Sequence, residues 1–204
     1  MKSVRPYSQW LLEMWDSVPD VKVLKKDVKN EDAVYTIDIE GNPYQVTLIV
    51  YRKDQALEIF PSPVEDPSNK DSDFSLEIHF SSKKTPEGPF SDSLTGRNNM
   101  QDVMGGVWWV IQDWARTICK GGKLSALIVM AKTETPGDDR RAKIYGDFFM
   151  RKAKQVGVKV LGTEDMTDTF IRISRLSGSN PGDIGLVATK YYIEPISPQK
   201  LASS

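Results

Sequence analysis

Two segments of the chain have residue types that could bind an anion. The first is the turn Gly96-Arg97-Asn98-Asn99, which comes directly before an apolar repeat typical of a helix. The first backbone N–H groups of a helix have no partner inside it, so this turn could hold a phosphate, with Arg97 as the mobile charge. Asn98 and Gln101, three residues apart, are also typical of a helix cap. The sequence therefore fits two interpretations of this turn, a site that binds an anion and a structural helix cap.

The second segment is a basic helix farther along the chain. Its candidate polyanion-binding residues are Arg140, Arg141, Lys143 and Arg151. A solvated helix face is the alternative, because nearby aspartates offset part of this charge. The whole chain of 204 residues has 27 basic and 28 acidic side chains, so any nucleic-acid site would have to be local.

Other catalytic chemistry finds little support in the residue types. The chain has one histidine, His79, and one cysteine, Cys119, which are too few for a zinc site built on those residues. A cysteine–histidine nucleophile would need the side chains of these two residues to be in contact. The acidic residues lack a spacing typical of a metal or hydrolase site. We therefore predict no metal.

The elements that must position these residues follow from the apolar spacing. A repeat of three and four residues predicts a helix from about Asn99 to Cys119, closed by Gly121 and Gly122. The glycines inside this helix, Gly105 and Gly106, suggest close packing against a strand or a bound group. A second helix is predicted from Asp138 to about Val156 and is stopped by a glycine.

Strands are predicted where the apolar spacing changes to two or becomes continuous. Alternation between residues 33 and 80 predicts antiparallel strands, and in the last of them His79 points away from the core. The apolar run Leu124 to Ala131 is the candidate central strand. Shorter strands are predicted at Val158 to Leu161, Thr169 to Ser174 and Tyr191 to Ile193.

Together these elements predict one α+β domain over residues 1–200, with a mixed, mainly antiparallel sheet and helices packed on it. It would contain an N-terminal helix at 6–17, antiparallel strands within 33–80 and a helix–strand–helix–strand unit at 98–175, followed by a tail at 201–204. No apolar run is long enough to cross a bilayer and no secretion signal is recognisable, so we expect a protein that is neither transmembrane nor secreted.

The order of a strand, a turn, a helix, a second strand and a second helix resembles the GCN5-related N-acetyltransferase fold. The resemblance implies that Gly96, Arg97, Asn98 and Asn99 meet the pyrophosphate of acetyl-CoA. It also implies that Tyr145, in the segment Asp139-Arg140-Arg141-Ala142-Lys143-Ile144-Tyr145, protonates the departing thiolate. The family has small residues at the helix start, whereas this chain has Met100 and Asp102. An acidic side chain near a pyrophosphate is unfavourable.

The same two segments are similar to a group of uncharacterised proteins of tailed bacteriophages. In that group a Thr-Gly turn precedes an apolar helix, and an arginine-containing motif ending in tyrosine opens the next helix. This resemblance implies a protein of phage origin, in the host cytoplasm or the virion. Because small residues are missing after Arg97, we expect an accessory or virion-associated protein with a non-catalytic acetyltransferase-like core, which binds phage or host proteins and needs no cofactor. The alternatives are an acyl-CoA-dependent N-acyltransferase and a nucleic-acid-binding accessory protein. A cradle predicts a separated strand pair near Gly96, whereas a cap predicts a filled helix end.

Overall fold

The structure is a computed structural model that describes residues 19–52, 73–83, 90–91, 100–133, 140–176 and 185–203. The predicted N-terminal helix at 6–17 and the turn Gly96-Arg97-Asn98-Asn99 lie outside the described residues, as does part of the predicted strand region 33–80.

The described residues form one mixed sheet with helices. The strands are β1 (Val21–Lys29), β2 (Asp32–Ile39), β3 (Asn42–Arg52), β4 (Phe74–Lys83), β5 (Phe90–Ser91), β6 (Leu124–Thr133), β7 (Val160–Asp165) and β8 (Gly185–Ile196). The helices are α1 (Met100–Thr117), α2 (Arg140–Gln155), α3 (Thr167–Leu176) and α4 (Pro198–Ala202). None of these helices is long and apolar enough to cross a membrane.

The strand order is β1-β2-β3-β4-β6-β8-β7, and β5 pairs with β4 outside this path. The pair β4–β6 is parallel, whereas the other described pairs are antiparallel. A parallel pair needs a long crossover connection, and here α1 lies in that connection. The prediction of an α+β fold with a mixed, mainly antiparallel sheet is confirmed.

Helix α1 packs on the sheet through the predicted apolar stripe, whose central residues are buried. A Cβ atom on Gly106 would lie 2.5 Å from Cδ1 of Ile39 and 3.2 Å from Cδ1 of Ile37, which confirms the predicted close approach of this helix to a strand. Near the other end of the helix, the ring centroids of Trp114 and Phe74 are 5.8 Å apart. Phe74 begins β4, so α1 runs antiparallel to that strand.

The two faces of the sheet are covered differently. One face carries the main core, in which α1 and α2 pack on alternate residues of the strands, including Leu76 and Ile78. On the opposite face, Met166 and Phe170 pack on Ile128 of β6 and on β8 in a smaller cluster. Both faces of β6 are therefore covered, as its continuous apolar sequence predicts.

One end of the sheet is closed by a network around Arg52. Its Nε and Nη2 atoms donate to Glu31 at 3.0 and 2.5 Å, and both of its Nη atoms donate to the carbonyl oxygen of Gly121 at 3.1 Å. Glu31 also accepts from the backbone N–H of Lys120 at 2.9 Å and, through its carbonyl oxygen, from Trp114 Nε1 at 2.7 Å. Burial raises the pKa of Glu31, but the hydrogen bonds and charges of Arg52 and Lys120 outweigh it, so the pKa is below its usual value.

The predicted strand Thr169 to Ser174 is wrong, because α3 spans it. Its β-branched residues favour a strand locally, but Met166 and Phe170, four residues apart, are both buried on the sheet. Asp165 Oδ1 accepts from the backbone N–H of Thr167 at 2.9 Å and so satisfies a donor at the start of the helix. Tertiary packing and this cap override the local preference.

The predicted tail at 201–204 is corrected in part. Pro198–Ala202 form a short helix capped by Ser197, and Leu201 is 3% exposed in the main core. Ser203 lies just beyond this helix, and Ser204 is outside the described residues. The sequence also gave no prediction for β1, an almost fully exposed edge strand with four lysines. The predicted strand Tyr191 to Ile193 is only the middle of the longer β8.

Candidate functional site

A gap opens in the sheet where β4 and β6 separate. Their parallel pairing begins at Phe74 and Leu124 and ends at Ile78 and Val129. Both strands continue beyond this point. β4 stays paired with β3 as far as Ser82, and β6 stays paired with β8 to the end of β6. The two strands thus diverge at the end of the sheet opposite to the Arg52 network.

A pocket occupies this gap. It is small, with an interior volume of about 30 Å³, and it opens to solvent. Tyr145, Phe80 and Ala131 reach it from the side of the main core, whereas Met130 and Leu186 belong to the cluster on the opposite face. Side chains from both faces can share one pocket only because the strands have separated.

Two of the residues singled out from the sequence meet at this pocket. Arg141 and Tyr145 are four residues apart on α2 and therefore lie on neighbouring turns of one face. The Tyr145 side chain is 5% exposed, and its ring packs edge-on against Phe80 with the centroids 4.7 Å apart. The hydroxyl-bearing residue implied by the family resemblance therefore lines the gap.

Helix α2 is held close to the sheet beside this pocket by a glycine. A Cβ atom on Gly146 would lie 2.0 Å from the hydroxyl oxygen of Tyr191 and 2.9 Å from its Cζ atom. Tyr191 is on β8 and is 9% exposed, so it has little room to move. This approach needs a glycine at position 146. The close contact in turn sets the distance between Tyr145, the preceding residue, and the strands.

His79 lines the pocket and contacts the buried carboxylate of Glu77, and the sequence analysis assigned neither residue to a site. Glu77 and His79 are two residues apart on β4, so both side chains lie on the face of the sheet opposite to α1 and α2. His79 Nε2 contacts Glu77 Oε1, and the Tyr51 hydroxyl donates to Glu77 Oε2. Glu77 is 2% exposed, and His79 lines the pocket. Burial, together with the charge and hydrogen bond of Glu77, raises the pKa of Tyr51.

The start of α1 lies at the same end of the sheet as the gap. Gly106 packs on Ile37, which is paired with Tyr44, and Tyr44 is paired with Ser82 near the end of β4. The predicted anion turn directly precedes this helix in the chain. At the helix start itself, Met100 packs against the main core and Asp102 is partly exposed.

The predicted polyanion residues do not form one group. At about 100° per residue, Arg140, Lys143 and Arg151 fall on one side of α2, and Arg141 is turned toward the pocket. Arg140 and Lys143 are exposed, whereas Arg141 and Arg151 are partly buried. Binding of a polyanion by this helix stays a prediction.

The other reactive groups of the described residues give weaker candidates for a functional site than the gap does. Among the described residues, no group of three or more histidine, cysteine, aspartate or glutamate side chains could hold a metal ion. Cys119 lies at the closed end of the sheet, and burial raises the pKa of its thiol, which lowers the fraction of reactive thiolate. The gap is therefore the best-built site in the described part of the chain.

Comparisons of the chain with protein-family models, with curated proteins and with solved structures found no match. The chemistry of the gap is therefore inferred from its own residues.

Proposed function

We propose that the chain is an acyl-CoA-dependent N-acyltransferase with an acetyltransferase-like core. The observation that carries this proposal is the separation of β4 and β6 into a gap lined by Tyr145. A cofactor cradle near the start of α1 was expected to need such a separated strand pair. The chain order β4, α1, β6, α2 is also the strand–helix–strand–helix order of the family that the sequence resembles.

In this proposal the thioester lies in the gap between the two strands. That Gly96, Arg97, Asn98 and Asn99 meet the pyrophosphate stays a prediction, because these residues lie outside the described part of the chain. Arg141 adds a positive charge beside the pocket. An amine attacks the thioester carbonyl and the C–S bond breaks, the Tyr145 hydroxyl protonates the thiolate, and the nitrogen returns a proton to the tyrosinate. A positioned general acid of this kind contributes about 10²–10⁴-fold to a rate.

The substitution Tyr145→Phe tests this role. It removes one oxygen and keeps the ring that packs on Phe80, so the fold and the binding of acetyl-CoA should be retained. We expect kcat for amine acetylation, measured as thiol release, to fall by about 10²-fold or more. Tyr192→Phe is the matched control, because Tyr192 is 37% exposed and is not among the residues lining the pocket. Full turnover by Tyr145→Phe would remove this role from Tyr145.

A second candidate function is a phage-type accessory or virion-associated protein that binds phage or host proteins without catalysis, in the host cytoplasm or the virion. The start of α1 favours it, because the packed Met100 and the acidic Asp102 stand where small residues would suit a pyrophosphate. Calorimetric titration with acetyl-CoA and with CoA separates the two candidates. Saturable micromolar binding supports the enzyme, and its absence supports the binding protein.

A further inference from the structure

The carboxylate of Glu77 is divided between two partners. Its Oε2 atom accepts from the Tyr51 hydroxyl, and its Oε1 atom contacts His79 Nε2. A carboxylate that is 2% exposed needs such partners, because burial without hydrogen bonds is strongly unfavourable. The Tyr51 bond occupies one oxygen and turns the other toward the histidine ring.

This contact decides which nitrogen of His79 is basic. A neutral imidazole that donates through Nε2 to a carboxylate carries its lone pair on Nδ1. The His79 side chain is 32% exposed, so a proton on the ring has a route to solvent.

Polar groups from β3, β4 and α2 and apolar side chains from β6 and β8 lie around His79. Glu77 is on its own strand, Thr47 is its paired residue on β3, and Arg141 and Tyr145 line the same pocket from α2. Tyr145 and His79 approach the pocket from opposite faces of the sheet.

We propose that His79 is the proton acceptor for the attacking amine, and that Glu77 and Tyr51 are positioning residues that hold its ring. The proposal rests on the proposed acyltransfer. His79 takes one proton from an alkylammonium ion, and the neutral nitrogen forms a bond to the thioester carbon while the C–S bond breaks. The thiolate takes the proton of Tyr145, the second proton of the nitrogen returns to Tyr145, and His79 releases its proton to solvent.

A comparison of two acceptors tests the role of His79. A primary alkyl amine is protonated near neutral pH and needs a base, whereas hydroxylamine is mostly neutral there and does not. With acetyl-CoA as donor, we expect His79→Gln to lower kcat for the alkyl amine by about 10²–10⁴-fold. With hydroxylamine the loss should be less than about threefold, because the acceptor then brings its own lone pair. Thr47→Val, a change of the residue paired with His79, is the control and should alter neither rate.

A second measurement needs no turnover. The chain has one histidine, so the ring ¹⁵N signals of labelled protein belong to His79 alone. We expect the Nε2–H tautomer in the natural chain and a mixture of tautomers in Glu77→Gln. Tyr51→Phe should loosen the ring without removing its carboxylate, and its rate with the alkyl amine should lie between those of the natural chain and His79→Gln.

The outcomes separate this inference from the proposed function. Equal losses with both acceptors in His79→Gln, or an unchanged rate with the alkyl amine, would overturn the role of His79 and leave the acyltransferase standing. An Nδ1–H tautomer in the natural chain would overturn it too. If the natural chain releases no thiol from acetyl-CoA with either acceptor, the proposed function and this inference both fail.

Discussion

The two ends of the β4–β6 pair are built in opposite ways. At one end, the Arg52 guanidinium donates to the Glu31 carboxylate and to the carbonyl oxygen of Gly121. These bonds connect β3 to the segment that follows α1. At the other end the strands separate, and Tyr145 and His79 line an open space. The same two strands thus have one end that is joined through Arg52 and one end at which they separate. The difference places the strongest tertiary hydrogen bonding at the first end, and the proposed chemistry belongs to the second.

The largest effect on stability is expected at the closed end. Arg52→Met removes the guanidinium and leaves the carboxylate of Glu31, which is 13% exposed, without its main partner. Breaking one side of a buried ion pair costs about 3–5 kcal/mol in the free energy of unfolding, measured by denaturant titration. Lys25→Met is the control. Its ion pair with Asp27 is 68% and 56% exposed, so less than about 1 kcal/mol should be lost. Equal losses of unfolding free energy in the two variants would show that the Arg52 network stabilises the fold no more than an exposed ion pair does.

An intermediate effect is expected where α2 meets the sheet beside the gap. Gly146→Ala places a methyl group against the hydroxyl oxygen of Tyr191 and should destabilise the fold by about 1–3 kcal/mol. In the double variant with Tyr191→Phe the hydroxyl is gone, so much of this loss should be recovered, helped by the better helix propensity of alanine. A double-mutant cycle from thermal or denaturant unfolding measures the coupling. An additive result would contradict the close approach.

The smallest effect on stability, with a large effect on binding, is expected at the open end. Leu186→Trp directs a larger side chain into the pocket. Because the pocket opens to solvent and Leu186 is partly exposed, the larger side chain need not be enclosed, so the free energy of unfolding should change by less than about 1 kcal/mol, below the usual range for overpacking. Affinity for acetyl-CoA should fall by at least about tenfold, or about 1.4 kcal/mol, in calorimetric titration. Unchanged affinity would show that this part of the gap does not receive the ligand.

Much of the architecture could be predicted from local patterns. The three- and four-residue spacing of α1, the continuous apolar run of β6 and the glycine stop after α2 all correspond to elements of the structure. Gly157, which follows α2, has a φ of +70°, which an L residue rarely adopts. These predictions are confirmed because each depends on which residues face the core along one element.

The failures have a different cause. The exposed β1 buries almost nothing, so its lysines gave no periodic signal. The strand predicted at Thr169 to Ser174 failed because the burial of Phe170 on the sheet depends on β6 and β8, which are distant in sequence. Local propensity cannot report such contacts.

The candidate site was predictable only in part. Arg141 and Tyr145 could be singled out because they lie close together on one helix. His79 was identified as pointing away from the main core, but its link to Tyr51 through Glu77 depends on the pairing of β3 with β4. Strand register brings these residues together, and register cannot be derived from the spacing within one strand.

The parallel pair also has a consequence for the order of folding. β1, β2 and β3 are consecutive antiparallel strands, so their contacts close short loops. The pairing of Phe74 with Leu124 closes a long connection that includes α1. It therefore brings together residues that are far apart in sequence. Contacts between residues distant in sequence form slowly. We therefore expect the N-terminal strands to acquire protection from hydrogen exchange first during refolding, and the divergence of β4 from β6 to be among the last features to form.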